Sequence, residues 1–122
     1  MARLRKALIM ERAEYWAGIL GLGSWKLGVK VCKLPKGTAA RVDANHEYTD
    51  ALIEVDPWQT EEENLDETIV HEFVHLHLWG MGHVLTTLAK GRKRSVEWGR
   101  VEEERAVTAL TRAIVRAHTT QV

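Results

Sequence analysis

The sequence predicts an α+β domain, with helices packed on a small antiparallel sheet of about three strands. Three patterns carry that expectation. Residues 2–20 repeat apolar side chains at helical spacing, residues 25–32 alternate at period two, and an apolar helix opens at Asn64.

The elements follow in order. In the first helix Leu4, Leu8, Tyr15, Trp16, Ile19 and Leu20 form a stripe, with Glu11 and Arg12 among the interrupting charges. Gly21 and Gly23 end it. Trp25, Leu27, Val29 and Val31 then face one way, and Lys26, Gly28, Lys30 and Cys32 the other, as in a strand with one buried face. Pro35-Lys36-Gly37 signals a turn. A second strand is expected over 38–44, a turn over 45–50 and a third strand over 51–55, closed by Asp56-Pro57. Strands this close in sequence suggest a meander. Asn64 and Glu67 stand at capping-box positions for a helix running to about Trp79, where Gly80 and Gly82 stop it. Residues 81–95 read mostly as loop, with a helical turn at 84–89, and a final helix spans about Val96 to His118.

At 122 residues the chain fits one domain, 1–122, and 45% hydrophobic content is enough for a core. Lys+Arg and Asp+Glu balance at 17 each, so no global field points to nucleic acid or an anionic membrane. The short basic run Lys90, Arg92, Lys93, Arg94 reads as a solvated loop. Cys32 is the single cysteine, which excludes an intrachain disulfide and suits a reducing compartment. The start of the chain is too charged for a signal peptide or a membrane span, so a cytoplasmic location is expected. Five tryptophans are scattered beside element ends, as packing residues are.

The chemistry sits at His71-Glu72-Phe73-Val74-His75, an HExxH motif inside the Asn64 helix. Residues four apart share a helix face, so both imidazoles can reach one metal ion, expected to be Zn²⁺. Glu72 projects beside them and can serve as the base toward a metal-activated water. Leu65, Ile69, Val70, Phe73, Val74, Leu76 and Leu78 surround the motif, so its polar groups need partners in a buried setting.

A catalytic zinc site needs a third protein ligand. The positions of a third histidine in the longer metzincin motif hold Leu78 and Met81 instead of its glycine and histidine. His77 points off the metal-binding face, and His83 stands as a minor candidate. On the last helix Val107, Leu110 and Ile114 form an apolar stripe with Glu103 at its centre, which favours Glu103 as ligand over Glu104, with Glu102 last. Tyr48, His46 and His83 are candidates for stabilising an oxyanion.

HExxH followed by a glutamate on a later helix resembles the gluzincin arrangement. The run Glu103-Glu104-Arg105-Ala106 is similar to the ImmA/IrrE-type pattern, with Val107 where an asparagine is usual. The chain as a whole looks like the minimal metallopeptidases of phages and prophages. The SprT-like group shares the size and the HExxH helix but takes a third histidine. The resemblance implies zinc, a protein or peptide substrate and action in the cytoplasm. The reaction expected is peptide-bond hydrolysis, with His71, His75 and Glu103 on the metal, Glu72 as base and strand 51–55 beside the cleft. A zinc-containing binding module that regulates a host protein is the rival, and a hydrolase of non-peptide amides is a third reading.

Overall fold

The fold is seen in a computed structural model. It describes residues 3–45, 48–88 and 93–120, with backbone alone at 79–88, 93–100 and 119–120. The class is α+β, with three helices and a three-stranded sheet in the order α1 (Lys6–Ile19), β1 (Lys26–Val31), β2 (Ala40–Asn45), β3 (Asp50–Val55), α2 (Leu65–Leu88) and α3 (Lys93–Thr120). A 3₁₀ turn, Glu62–Asn64, leads directly into α2.

Helix α1 ends as its glycine foretells. Gly21 takes φ +70°, Gly21 N–H reaches Gly18 O at 3.4 Å, and Leu22 N–H donates to Ala17 O at 2.9 Å. This is a Schellman ending, which needs a residue in the left-handed region. The buried face of α1 carries Ile9, Ala13 and Trp16, while Tyr15 and Ile19 are exposed. The stripe is therefore rotated by about one residue from the one read in the sequence. Polar contacts set that rotation. Arg12 donates to Asp66 of α2 through Nε at 2.6 Å and a terminal nitrogen at 3.1 Å, and Trp16 Nε1 donates to the same carboxylate at 2.9 Å.

The sheet is mixed, not an antiparallel meander. Its order is β1-β3-β2, with β3 parallel to β1 and antiparallel to β2. The reason lies beyond the end of β3. Asp56 is buried, and its carboxylate accepts the backbone N–H groups of Leu34 at 2.9 Å and Trp58 at 2.8 Å. Gln59 Nε2 sits 2.8 Å from the same carboxylate and 3.1 Å from each of the carbonyl oxygens of Leu34, Pro35 and Thr38. Gly37 N–H donates to Gln59 Oε1 at 2.8 Å, and Gly37 itself has φ +92°. The connection from β1 is thus held across the end of β3, which delivers β2 to the far edge. The β2–β3 hairpin then places β3 in the middle.

Strand faces alternate as expected. Ala51, Ile53 and Val55 are buried, and Leu27, Val29 and Val31 are partly buried beside them. The outer face is charged and includes Arg41 Nε paired with Glu54 at 2.9 Å. The core forms between the inner face, α1 and α2, with Phe73, Ile69, Val70 and Leu65 at its centre.

Helix α2 differs most from its expected bounds. It passes through Gly80 and Gly82 to Leu88, so most of the expected 81–95 loop is helical. Glycine disfavours a helix by only about 1 kcal/mol per residue, a cost small enough for the helix to continue through both positions. The expected capping box is replaced by the 3₁₀ turn, with Leu65 N–H donating to Glu62 O. Residues 89–92 lie outside the described residues, and with them Lys90 and Arg92.

Hydrogen bonds from Gln59 and Leu34 hold the Asp56 carboxyl at about 2, below its ordinary 3.8, against the opposing effect of burial. A depressed carboxyl contributes stability above its unfolded pKa and loses it as pH falls toward the folded value. The thermal midpoint should therefore drop as pH goes from about 4 to about 2, and Asp56→Asn should flatten that drop. Scanning calorimetry of both proteins across this window checks it.

Candidate metal centre

The residues of α2 divide into two arcs. Leu65, Ile69, Val70, Phe73 and Val74 are buried in the core with the sheet and α1, and Leu76 is buried as well. Glu67, Thr68, His71, Glu72 and His75 occupy the opposite arc at spacings of one, three and four, the periodicity of a single helix face. Helix α3 crosses that arc. The motif thus sits where a buried helix meets α3, and the side chains of His71 and His75 are 28% and 23% exposed.

Helix α3 supplies a carboxylate, and it comes from Glu104. His71 Nε2 lies 2.9 Å from Glu104 Oε1, and His75 Nε2 lies 3.1 Å from Glu104 Oε2. One ligand atom from each of the three residues falls within 4.8 Å of the others. The imidazole rings stand edge to face, with centroids 4.9 Å apart. Glu103, expected as the third ligand, takes a different place, with Oε1 3.7 Å from His75 Nδ1 on the other side of that ring.

The one-residue change has a physical cause. Among the residues of α3 whose side chains are described, Val107 and Thr111 are buried, whereas Leu110 is 45% exposed. Exchanging Leu110 for Thr111 rotates the inward stripe by roughly 50° at 100° per residue and brings Glu104 toward α2. Thr111 escapes an apolar reading because it carries a hydroxyl, here buried with no partner among the described residues. Glu102 stays on the helix surface, where Arg105 reaches it at 3.4 Å.

Other expected residues fall elsewhere. His77 bonds the Leu20 carbonyl at 2.6 Å and braces α2 against the end of α1. Tyr48 is 63% exposed and does not line the cavity beside the motif. His46 and the side chain of His83 lie outside the described residues.

Two imidazole nitrogens and one carboxylate oxygen converge from two helices, which is the donor set and number that catalytic zinc takes from a protein. The residues fit such an ion. Glu72 stands beside them and lines a cavity of about 390 Å³ with His71, Thr68, Glu67, Asn64 and the stretch Gly37–Ala40. Burial pushes the Glu72 carboxyl up to about 7, and the nearby charge of Glu104 adds to the shift. Sequence reasoning missed this cavity wall, because its shape comes from the Asp56–Gln59 bonds to a loop more than twenty residues earlier.

Strand β3 was expected beside the cleft. It is the central strand, paired on both sides, and β2 is the edge that borders the cavity through Ala40. Asp56 N–H donates to Ala39 O at 2.8 Å, so Ala39 faces the ladder and the alternation turns the N–H and C=O groups of Ala40, Val42 and Ala44 outward.

Comparison with protein-family models, with curated proteins and with solved structures finds no match.

Zinc affinity separates the two glutamates. Glu104→Ala should weaken binding by more than about a hundredfold, whereas Glu103→Ala should cost about ten- to a hundredfold, as expected for a group behind a ligand. Chelator competition on the two variants tests this, and the reverse order would overturn the placement of α3.

Proposed function

We propose that the chain is a zinc-dependent peptidase of the gluzincin type, with His71, His75 and Glu104 as the metal ligands and Glu72 as the catalytic base. The observation that carries the reading is the convergence of Glu104 from α3 on both motif histidines, at 2.9 and 3.1 Å. When bound, zinc supplies Lewis acidity toward the scissile carbonyl and toward water.

The chain's own residues account for the remaining steps. Glu72 is not among the three grouped residues, so its carboxylate is free to take a proton from the attacking water. Standing beside the ligands and at the cavity, the Glu72 carboxylate is placed for that exchange, and it can then deliver the proton to the leaving amine. The outward backbone groups of Ala40 and Val42 offer an extended peptide a strand to pair with. Such pairing would lay the peptide along the cavity that Glu72 and His71 line.

A zinc-containing module without catalysis would need the three ligands but no carboxyl at Glu72. The half-buried Glu72, beside the ligands and lining the cavity, therefore favours the hydrolase over the binding module. No helix among the described residues is long and apolar enough to cross a membrane.

Zinc-loaded protein should cleave peptides in a mixed library, and a chelator should abolish the cleavage. Glu72→Gln should keep zinc and the thermal midpoint while losing at least about a hundredfold in kcat, in line with general-base contributions. Mass spectrometry of the library together with metal analysis checks both. Equal cleavage by parent and variant would remove Glu72 from the mechanism.

A further inference from the structure

The cavity has a second carboxylate that the proposed mechanism does not use. Glu67 lies four residues before His71, one turn along the same arc of α2, and lines the cavity together with Asn64 and Thr68. The sequence suggests that Glu67 bonds back to the chain at Asn64. The 3₁₀ turn Glu62–Asn64 running into α2 takes the place of that arrangement, leaving the Glu67 side chain at the cavity and 49% exposed. Its partner among the described residues is Arg112 of α3, whose Nε is 3.9 Å away, beyond hydrogen-bond length, on a side chain that is 66% exposed.

The facing wall is small and uncharged, made of Gly37, Thr38, Ala39 and Ala40. No lysine or arginine stands among the described residues that line the cavity. A guest side chain therefore meets space on one side and a carboxylate on the other. One helical turn is about 5.4 Å, and alternate side chains of an extended strand repeat at about 6.6–6.8 Å. A peptide lying along β2 with its reacting bond near His71 and Glu72 would thus bring a side chain close to Glu67.

We infer that Glu67 is the specificity-determining carboxylate of this cleft and that the substrate is a peptide carrying a lysine or arginine near the cleaved bond. This inference rests on the peptidase reading. Glu67 draws the cation of the substrate, and the loosely held Arg112 yields its place to it.

Binding tests this without requiring turnover. Two series of hydroxamate-capped peptides, one extending to each side of the chelating group, carry lysine, norleucine or glutamate at successive positions. They are titrated calorimetrically into zinc-loaded parent, Glu67→Gln and Glu67→Lys. At one position the lysine peptide should bind the parent about fivefold tighter than the norleucine peptide, the upper range for a half-exposed ion pair. Glu67→Gln should bring the two to parity, Glu67→Lys should favour the glutamate peptide, and added salt should shrink the difference. Both variants alter an exposed side chain, and circular dichroism verifies their fold. Parity in the parent, or a preference that survives Glu67→Gln, overturns the inference and leaves the peptidase reading standing. If zinc-loaded parent binds no hydroxamate at all, the peptidase reading falls, and this inference falls with it.

Discussion

Helix α2 has to be buried and polar at once, and the rest of the molecule answers that constraint. Its apolar arc inserts Leu65, Ile69, Val70 and Phe73 between sheet and α1, all at 2% exposure or less. Its other arc holds two imidazoles and the carboxylate of Glu72, groups that are costly to bring out of water without partners. Helix α3 is the element that covers them, and Glu104 answers both histidines from it. At the other end, Asp66 ties the start of α2 to Arg12 and Trp16 of α1. The polar arc is thus fixed between a salt bridge at its beginning and a helix crossing along its length.

What was legible in the sequence depended on how strongly local residues constrain one another. HExxH marks its own geometry, because spacing four on a helix allows one arrangement of the two imidazoles. Gly21 and Gly37 mark backbone conformations that other residues adopt with strain, and both appear at positive φ. The phases of α1 and α3 were less legible. In α1 the large exposed Tyr15 and Ile19 outweighed small Ala13, and in α3 Leu110 outweighed Thr111. In each case size and hydropathy suggested one face, while the neighbouring elements selected residues that allow close approach.

Sheet order was hidden for another reason. Nothing local to β1 indicates that its neighbour is β3, because the decision is made by Asp56 and Gln59, more than twenty residues beyond Leu34. The same bonds shape the loop from Pro35 to Ala39, which then forms one wall of the cavity beside Glu72. Strand order and cleft shape therefore have a common origin in one buried carboxylate and one amide. The two histidine ligands could be found by spacing, but the choice of Glu104 over Glu103 and the space for a guest could not.

An edge left open for a guest is also open to a second copy of the chain. Strand β1, at one side of the sheet, carries Lys26 and Lys30, and like charges oppose edge-to-edge pairing. Strand β2, at the other side, carries Arg41 and Asp43 on either side of Val42. In an antiparallel pairing of two copies centred on Val42, Arg41 of each would fall opposite Asp43 of the other. The charges that usually protect an edge would attract there, so aggregation at high concentration would begin at the same strand that borders the cleft.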